Sequence, residues 1–279
     1  MVQVPNDVTS SARQIPFRYY VGCSLVALTR LLRRVLDQIR RVVALPEQLA
    51  LIIWTPREIA RSSKANWDSC SYVRGYARLD QWLDAREFAL VERYFSKSGS
   101  VLNLACGAGR EVLLLGRRGM SVIACDWSPG MIAEARRRAE DAKLPARFAV
   151  ADLMQDLPYA ENAFDYLYLS GYGYLFPRWR RVRFLRQAYL VLKPGGVFII
   201  AFPPAREDPG IPAGPSEWLF MRLRRWAPFN RAYEPGDRCV GGTLVHYFRS
   251  AELAGEFQEA EFLVKEWLWD EGYAVLVKL

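Results

Sequence analysis

The chain has 279 residues, 51% hydrophobic, 24% charged and 13% aromatic, enough apolar material for one large core or a core plus a smaller appendage. Five cysteines without a CxxC pair and a single histidine, His246, exclude a disulfide scaffold and a structural zinc site, and no metal is expected. The net charge of +8 is concentrated early, with seven arginines against one acid between Arg13 and Arg41, which bears on partners rather than on fold.

The first residues, MVQVPNDVTSSARQ, lack the basic start and apolar block of a secretory signal, so the reading is cytoplasmic. Residues 24–43, SLVALTRLLRRVLDQIRRVV, set Leu28, Leu31, Leu32, Val35, Leu36, Ile39, Val42 and Val43 at helical spacing. Their arginines fall mostly on the opposite side. Such a helix can pack on the protein, join a second subunit into an oligomer, or lie peripherally in an anionic membrane surface. No stretch suits a bilayer span: Val42–Trp54 is short and contains Pro46 and Glu47. A further helix is expected over Pro46–Arg61, then an irregular polar stretch over 62–76 that holds Trp67, Tyr72 and Tyr76, then helix over Leu79–Phe95.

From Ser100 the pattern changes to alternating strands and helices. VLNLA (101–105) precedes a helix near 109–118, and SVIACD (121–126) one near 129–142. ARFAVAD (146–152) leads to a loop, and AFDYLYLS (163–170) precedes a basic helix near 178–192. GVFIIAF (196–202) follows Lys193-Pro194-Gly195-Gly196. This is the signature of βαβ units around a parallel sheet with helices on both faces. Residues 203–245, rich in Pro, Gly and Trp, read as an insertion, whose Trp218, Phe220, Met221, Trp226 and Phe229 would form an apolar lid. Ser250 is placed as the N-cap of AELAGEFQEA, and EFLVKEWLW with GYAVLVKL as a closing antiparallel pair.

The stretch VLNLACGAGRE puts Gly107 and Gly109 where a buried strand turns into a helix. There the backbone can approach a ligand with no Cβ in the way, beside unpaired helix N–H groups. A phosphate, a dinucleotide, another nucleoside ligand, or a plain turn with no ligand all fit that much. The dinucleotide pattern asks for a glycine at 112, where Val112 stands, and the phosphate loop for Gly-Lys-Ser/Thr, where Arg110 and Glu111 follow. Asp126 ends the second strand, nineteen residues after Gly107, where a carboxylate can accept from a ribose diol. Asp152 ends the third, where it can accept from a purine amine. A nucleoside without phosphates fits these better than NAD.

From about Tyr72 onward the chain resembles a class I S-adenosylmethionine-dependent methyltransferase. VLNLACGAGRE is similar to the first motif of that family, VIACDWSPGMIAEAR to the second, FAVADLMQDLPYAENAFDYLYLS to the adenine-binding segment, and FLRQAYLVLKPGGVFIIAF to the stretch ending in the fifth strand. The resemblance implies an α/β fold, a Rossmann-like doubly wound seven-stranded sheet of order 3-2-1-4-5-7-6 with strand 7 antiparallel. An N-terminal helical extension and lid (1–95) would precede a cofactor-binding domain (96–279) carrying the 203–245 insertion. It implies S-adenosylmethionine as cofactor, held by Asn103, Ala105, Cys106, Gly107, Gly109, Asp126, Trp127, Met131, Asp152, Leu153 and Ser170, with Tyr72 from the lid. Two residues depart from the pattern: Asn103 stands for an acid and Ala105 for a glycine.

Methyl transfer from a sulfonium is an in-line displacement that asks the protein for positioning, exclusion of water and sometimes removal of a proton. Ser170, Tyr172 and Tyr174, after the fourth strand, are candidates to orient the acceptor, and His246 is a candidate general base. Tyr174 and Phe176 are equally explained by packing on the sheet, and Asp165 is read as a structural cap. The expected acceptor is a small apolar or aromatic molecule. The alternatives are a lipid or quinone at a membrane surface, reached through helix 24–43, and a protein that binds S-adenosylmethionine with altered or no transfer. Nucleic acid is disfavoured: the Asn/Asp-Pro-Pro-aromatic motif and the paired cysteines of base methyltransferases are missing, and the arginines of 177–186 and 222–231 read as solvated faces.

Overall fold

The structure is a computed structural model that describes residues 28–29, 53–79, 85–96, 98–205 and 233–279. The chain divides into two compact units, Met1–Pro46 and Glu47–Leu279, and every element named below belongs to the second. The expected helix 24–43 and the lid aromatics between 218 and 229 fall outside the described residues, save that Leu28 and Thr29 are helical.

Helix α1, Pro56–Asp68, corrects the expectation of an irregular stretch after 61. Thr55, Pro56 and Glu58 start it as a capping box: the Thr55 hydroxyl accepts the Glu58 N–H, and the Glu58 carboxylate accepts the Thr55 N–H at 2.7 Å. Its buried stripe is Ile59, Ser63 and Trp67, each four residues from the last. Helices α2, Cys70–Leu79, and α3, Ala85–Tyr94, follow.

The alternating region folds as β1 (Ser100–Leu104), α4 (Arg110–Arg117), β2 (Ser121–Asp126), α5 (Pro129–Asp141), β3 (Ala146–Val150), β4 (Phe164–Ser170), α6 (Arg178–Val191) and β5 (Leu192–Ala201). A short hairpin, β6 (Asp237–Val240) and β7 (Thr243–His246), precedes α7 (Ser250–Glu259), β8 (Leu263–Leu268) and β9 (Tyr273–Val277). The main sheet has the order β3-β2-β1-β4-β5-β9-β8, with β9 antiparallel to both neighbours. With β8 and β9 as sixth and seventh strands, this is the expected 3-2-1-4-5-7-6 arrangement. Two details differ from expectation. β5 starts at Leu192, because Leu192 pairs with Phe164 ahead of an irregularity in the ladder. Arg249, not Ser250, is the N-cap residue of α7, with Glu252 at its third position.

Alternation along the buried strands sends Leu102, Leu104, Leu167 and Leu169 to one face, against Phe184 and Leu185 of α6 and Phe257 of α7. Val101, Tyr168 and Ile199 go to the other, against Leu90 and Val91 of α3 and Leu115 of α4. With both faces covered, the open part of the sheet is its carboxyl edge, where β1, β2 and β4 end and α4 and α5 begin. Such edges in doubly wound sheets are where ligands bind.

The hairpin turns on Gly241 and Gly242, with φ of 58° and 72°, the left-handed pair a two-residue turn requires. It docks on α1: Asn66 donates to the Gly241 carbonyl at 2.7 Å, Ser62 to the Gly242 carbonyl at 3.0 Å, and the Leu244 N–H to Ser63 at 3.3 Å.

Candidate functional site

A cleft of about 290 Å³ opens along the carboxyl edge of the sheet. Its peptide wall is Ala105, Cys106 and Gly107 after β1. Asp126 and Trp127 come from the tip of β2, Ala151, Asp152, Leu153 and Met154 from beyond β3, and Ser170 and Gly171 from the end of β4. Trp67 of α1, Tyr76 of α2 and Tyr174 close it from above, Trp67 meeting Tyr174 edge-on at 5.2 Å.

Asp126 organises this edge. One carboxylate oxygen accepts the Gly107 N–H at 3.0 Å and the other the Ser128 N–H at 2.9 Å. Each oxygen keeps lone-pair capacity for a further donor. Burial pushes its carboxyl upward, and the backbone N–H groups oppose that shift. Ser128 caps α5 by accepting the Met131 N–H at 3.1 Å and donates to the Trp67 carbonyl at 3.2 Å, which ties α1 to the carboxyl edge of the sheet. Asp152 accepts the Met154 N–H at 2.9 Å and is otherwise exposed. Burial pushes the Tyr174 phenol up to about 12, and Tyr76 up as well, so both rings face the cleft as neutral hydroxyls.

Ala105 has φ 50°, a left-handed conformation in which its Cβ crowds the carbonyl. This accounts for the usual glycine at this position in the resembled motif. Ala105→Gly should stabilise the fold by about 1 kcal/mol, read as a higher urea midpoint, offset only by the added freedom of glycine in the unfolded chain.

The other expected cofactor residues are placed differently. Gly109 caps α4 with φ 84° and touches Ala135, where a Cβ would lie 2.9 Å from that of alanine, so it serves helix packing rather than the cleft wall. Met131 is buried under Trp67 and Ala108. Tyr72 is exposed and stacks on Tyr76 with centroids 6.1 Å apart, so Tyr76 is the lid tyrosine on the cleft. Asn103 sits within β1, fully buried, with both amide atoms unpartnered. A second acid beside the glycine loop is Glu111, in the first turn of α4. It lines the cleft and binds Arg110 at 2.6 Å, while Arg110 also binds Glu87 at 2.8 Å. Burial pushes the Glu111 carboxyl up, and Arg110 opposes it.

The two expected catalytic residues, His246 and Tyr172, do not line the cleft. The Tyr172 hydroxyl donates to Glu256 at 2.7 Å in the core, and its ring stacks on Phe248. His246 has Nδ1 at 2.6 Å from Asp237 and Nε2 at 2.9 Å from Glu252. Both nitrogens face carboxylates, so the ring is a doubly donating imidazolium with no lone pair for proton abstraction. Glu234, Asp237 and His246 also lie close enough together to hold a cation, but Arg181 binds Glu234 at 2.7 Å and the imidazolium already holds Asp237. Tyr172→Phe should lower stability by about 1–3 kcal/mol by removing one buried hydrogen bond to Glu256, which Arg181 still holds, and leave affinity for S-adenosylhomocysteine unchanged. Thermal melts and calorimetric titration check this; lost affinity with an unchanged melt would return Tyr172 to the site.

Residues 101–196 match the family described as a methyltransferase domain. A demethylmenaquinone methyltransferase of Thermus thermophilus is 38% identical over 107 residues, which covers 37% of this chain and 47% of that protein. A demethylmenaquinone methyltransferase of Symbiobacterium thermophilum is 32% identical over 149 residues, 51% of this chain and 57% of that protein. The chain spans about half the length of the curated relatives it matches. A crystal structure of a SAM-dependent methyltransferase from Methanosarcina mazei superposes with a TM-score of 0.53 at 21% identity, over 68% of this chain and 97% of that one. Residues 101–196 are thus similar to a methyltransferase domain, and the sheet that contains them has the fold of that solved structure.

The cleft fits the S-adenosylmethionine that the resemblance implies. Gly107 offers bare peptide beside a buried carboxylate with acceptor capacity to spare. Asp126, Asp152 and Glu111 supply negative charge for a cationic ligand, and the aromatic faces suit a sulfonium.

Proposed function

We propose that this protein transfers a methyl group from S-adenosylmethionine to a small acceptor with an apolar or aromatic body. The observation that carries this reading is the juxtaposition, in one cleft, of the Gly107 peptide, the Asp126 carboxylate at the tip of β2 and an aromatic roof of Trp67, Tyr76 and Tyr174. When bound, the sulfonium supplies an activated methyl group. The chain's own part is to orient both partners and exclude water. Asp126 accepts the ribose hydroxyls, and Asp152 with Leu153 flanks the base. Glu111 supplies the carboxylate near the glycine loop that Asn103 does not, and the three aromatic rings cover the methyl end. Ser170 and Tyr174 are the polar groups of this reading on the acceptor side. Neither needs to ionise, so a nucleophile that is already electron-rich suits the site.

The relatives named as demethylmenaquinone methyltransferases favour a quinone-like ring among such acceptors. For a membrane-held quinone, the basic stretch 24–43 would be the surface contact. Among the described residues no helix is long and apolar enough to cross a membrane.

Incubation of the purified chain with methyl-labelled S-adenosylmethionine and a cell extract, followed by partition into organic and aqueous phases, tests transfer. Label is expected in the organic phase. Saturable binding of S-adenosylhomocysteine with no label in any fraction would identify a binding protein instead.

A further inference from the structure

A second chamber of about 330 Å³ adjoins the cofactor cleft and shares Trp67, Trp127, Met154 and Tyr174 with it. Helix α1, the start of α6 and the docked hairpin build the rest. Its apolar wall includes Phe176, Trp179 and Leu244. Its charge is opposite to that of the cleft. Three acids and one base, Arg110, line the cofactor cleft, whereas the chamber carries Arg57 and Arg180 and no carboxylate among the described residues.

Neither arginine forms an ion pair among the described residues. The Arg180 guanidinium lies 5.0 Å over the Trp179 ring and 3.6 Å from the Met154 sulfur, contacts that fix it without neutralising it. A second observation is independent of charge. Thr243 lines the chamber, is 4% exposed, and has a hydroxyl with no hydrogen-bond partner among the described residues. A buried hydroxyl left unpaired costs free energy that a ligand oxygen would recover. Ser63, beside it, already accepts from the Leu244 N–H and retains a hydroxyl hydrogen to give.

We propose that this chamber holds the methyl acceptor and selects an aromatic anion. The ring lies among Trp67, Phe176 and Trp179, the anionic group meets Arg57 and Arg180, and a ring oxygen meets Thr243. This rests on the methyl-transfer reading above and narrows it. An acidic cleft takes the cationic cofactor, a basic chamber takes an anionic acceptor, and the shared aromatic wall brings the two together. A neutral ring would satisfy the apolar wall and leave the two arginines unanswered.

The test uses the full chain saturated with S-adenosylhomocysteine. It is titrated calorimetrically with 2-naphthoate and with its neutral methyl ester. Naphthoate is expected to bind roughly tenfold tighter, with the advantage shrinking as salt rises. The double variant R57Q/R180Q, at an exposed and a half-buried position, should bring naphthoate down to the affinity of the ester while leaving the melting temperature unchanged. Equal affinities in the unaltered protein, no binding of either probe, or a preference that survives in the double variant would each overturn the proposal. Titration with S-adenosylhomocysteine alone separates the two levels. Cofactor binding without a naphthoate preference defeats the chamber only. Absent cofactor binding defeats the methyl-transfer reading, while naphthoate can still be titrated into the free protein.

Discussion

Asp126→Ala is expected to weaken S-adenosylhomocysteine binding by about a hundredfold, because it removes the acceptor we propose for the ribose and orphans two backbone donors together. The carboxylate holds the Gly107 and Ser128 N–H groups at 3.0 and 2.9 Å, so its loss also frees the peptide that borders the ligand. Stability should change far less than affinity, since the substitution also removes a buried carboxyl whose ionisation burial already disfavours. Asp126→Asn keeps the shape and one acceptor, and its loss should be about tenfold. Calorimetric titration of both variants checks this. Wild-type affinity in Asp126→Ala would mean that the ligand grips elsewhere.

The second large effect is on folding. Arg181 is fully buried and binds Glu234 at 2.7 Å, Glu252 at 3.2 Å and Glu256 at 2.7 Å. His246 adds Asp237 and Glu252 to the same cluster, so four carboxylates surround one guanidinium and one imidazolium, with Arg178 near the edge. Removing one partner of a buried ionic group leaves uncompensated charge. Arg181→Met is therefore expected to cost about 3–5 kcal/mol, a fall of roughly 10 °C or more in melting temperature.

The same cluster makes stability depend on pH. Burial pulls the His246 pKa down, but the hydrogen bonds its ring donates to Asp237 and Glu252 outweigh it and raise it to about 9 from an ordinary 6.5. A folded pKa above the unfolded one stabilises in full below about pH 6.5 and is lost as pH rises toward 9. About 2–3 kcal/mol should disappear across that window. Urea unfolding at pH 6, 7.5 and 9.5 reads it. The wild type should weaken steadily and His246→Gln should start lower and stay flatter. A wild type equally stable at all three would remove the imidazolium from the account.

Asp126 was legible in the sequence because strand–helix alternation fixes where each strand ends, and the tip of the second strand of a doubly wound sheet faces the ligand edge. The glycine loop was legible for the same local reason, whereas the sheet order came through the family resemblance. Trp67 and Tyr76 were harder to place. Ser63 interrupts the apolar stripe Ile59-Ser63-Trp67, so the helix that carries Trp67 to the cleft reads as a polar irregular stretch, although Thr55, Pro56 and Glu58 announce its start. His246 and Tyr172 misled because their partners are remote: Asp237 across a hairpin, and Arg181 and Glu256 on two helices that meet only in the folded chain. A lone histidine beside an insertion carries no trace of that cluster. Glu111 was overlooked because an acid in the first turn of a helix is ordinary; its burial beside Arg110 is what gives it meaning.

The most direct test of the account is a crystal structure of the chain with S-adenosylhomocysteine. The ribose hydroxyls should lie within hydrogen-bond reach of Asp126, with the adenine beside Asp152 and Leu153 and the sulfur under Trp67, Tyr76 and Tyr174. A ligand lying outside this cleft, or seated in it with Asp126 turned away from the ribose, would contradict it.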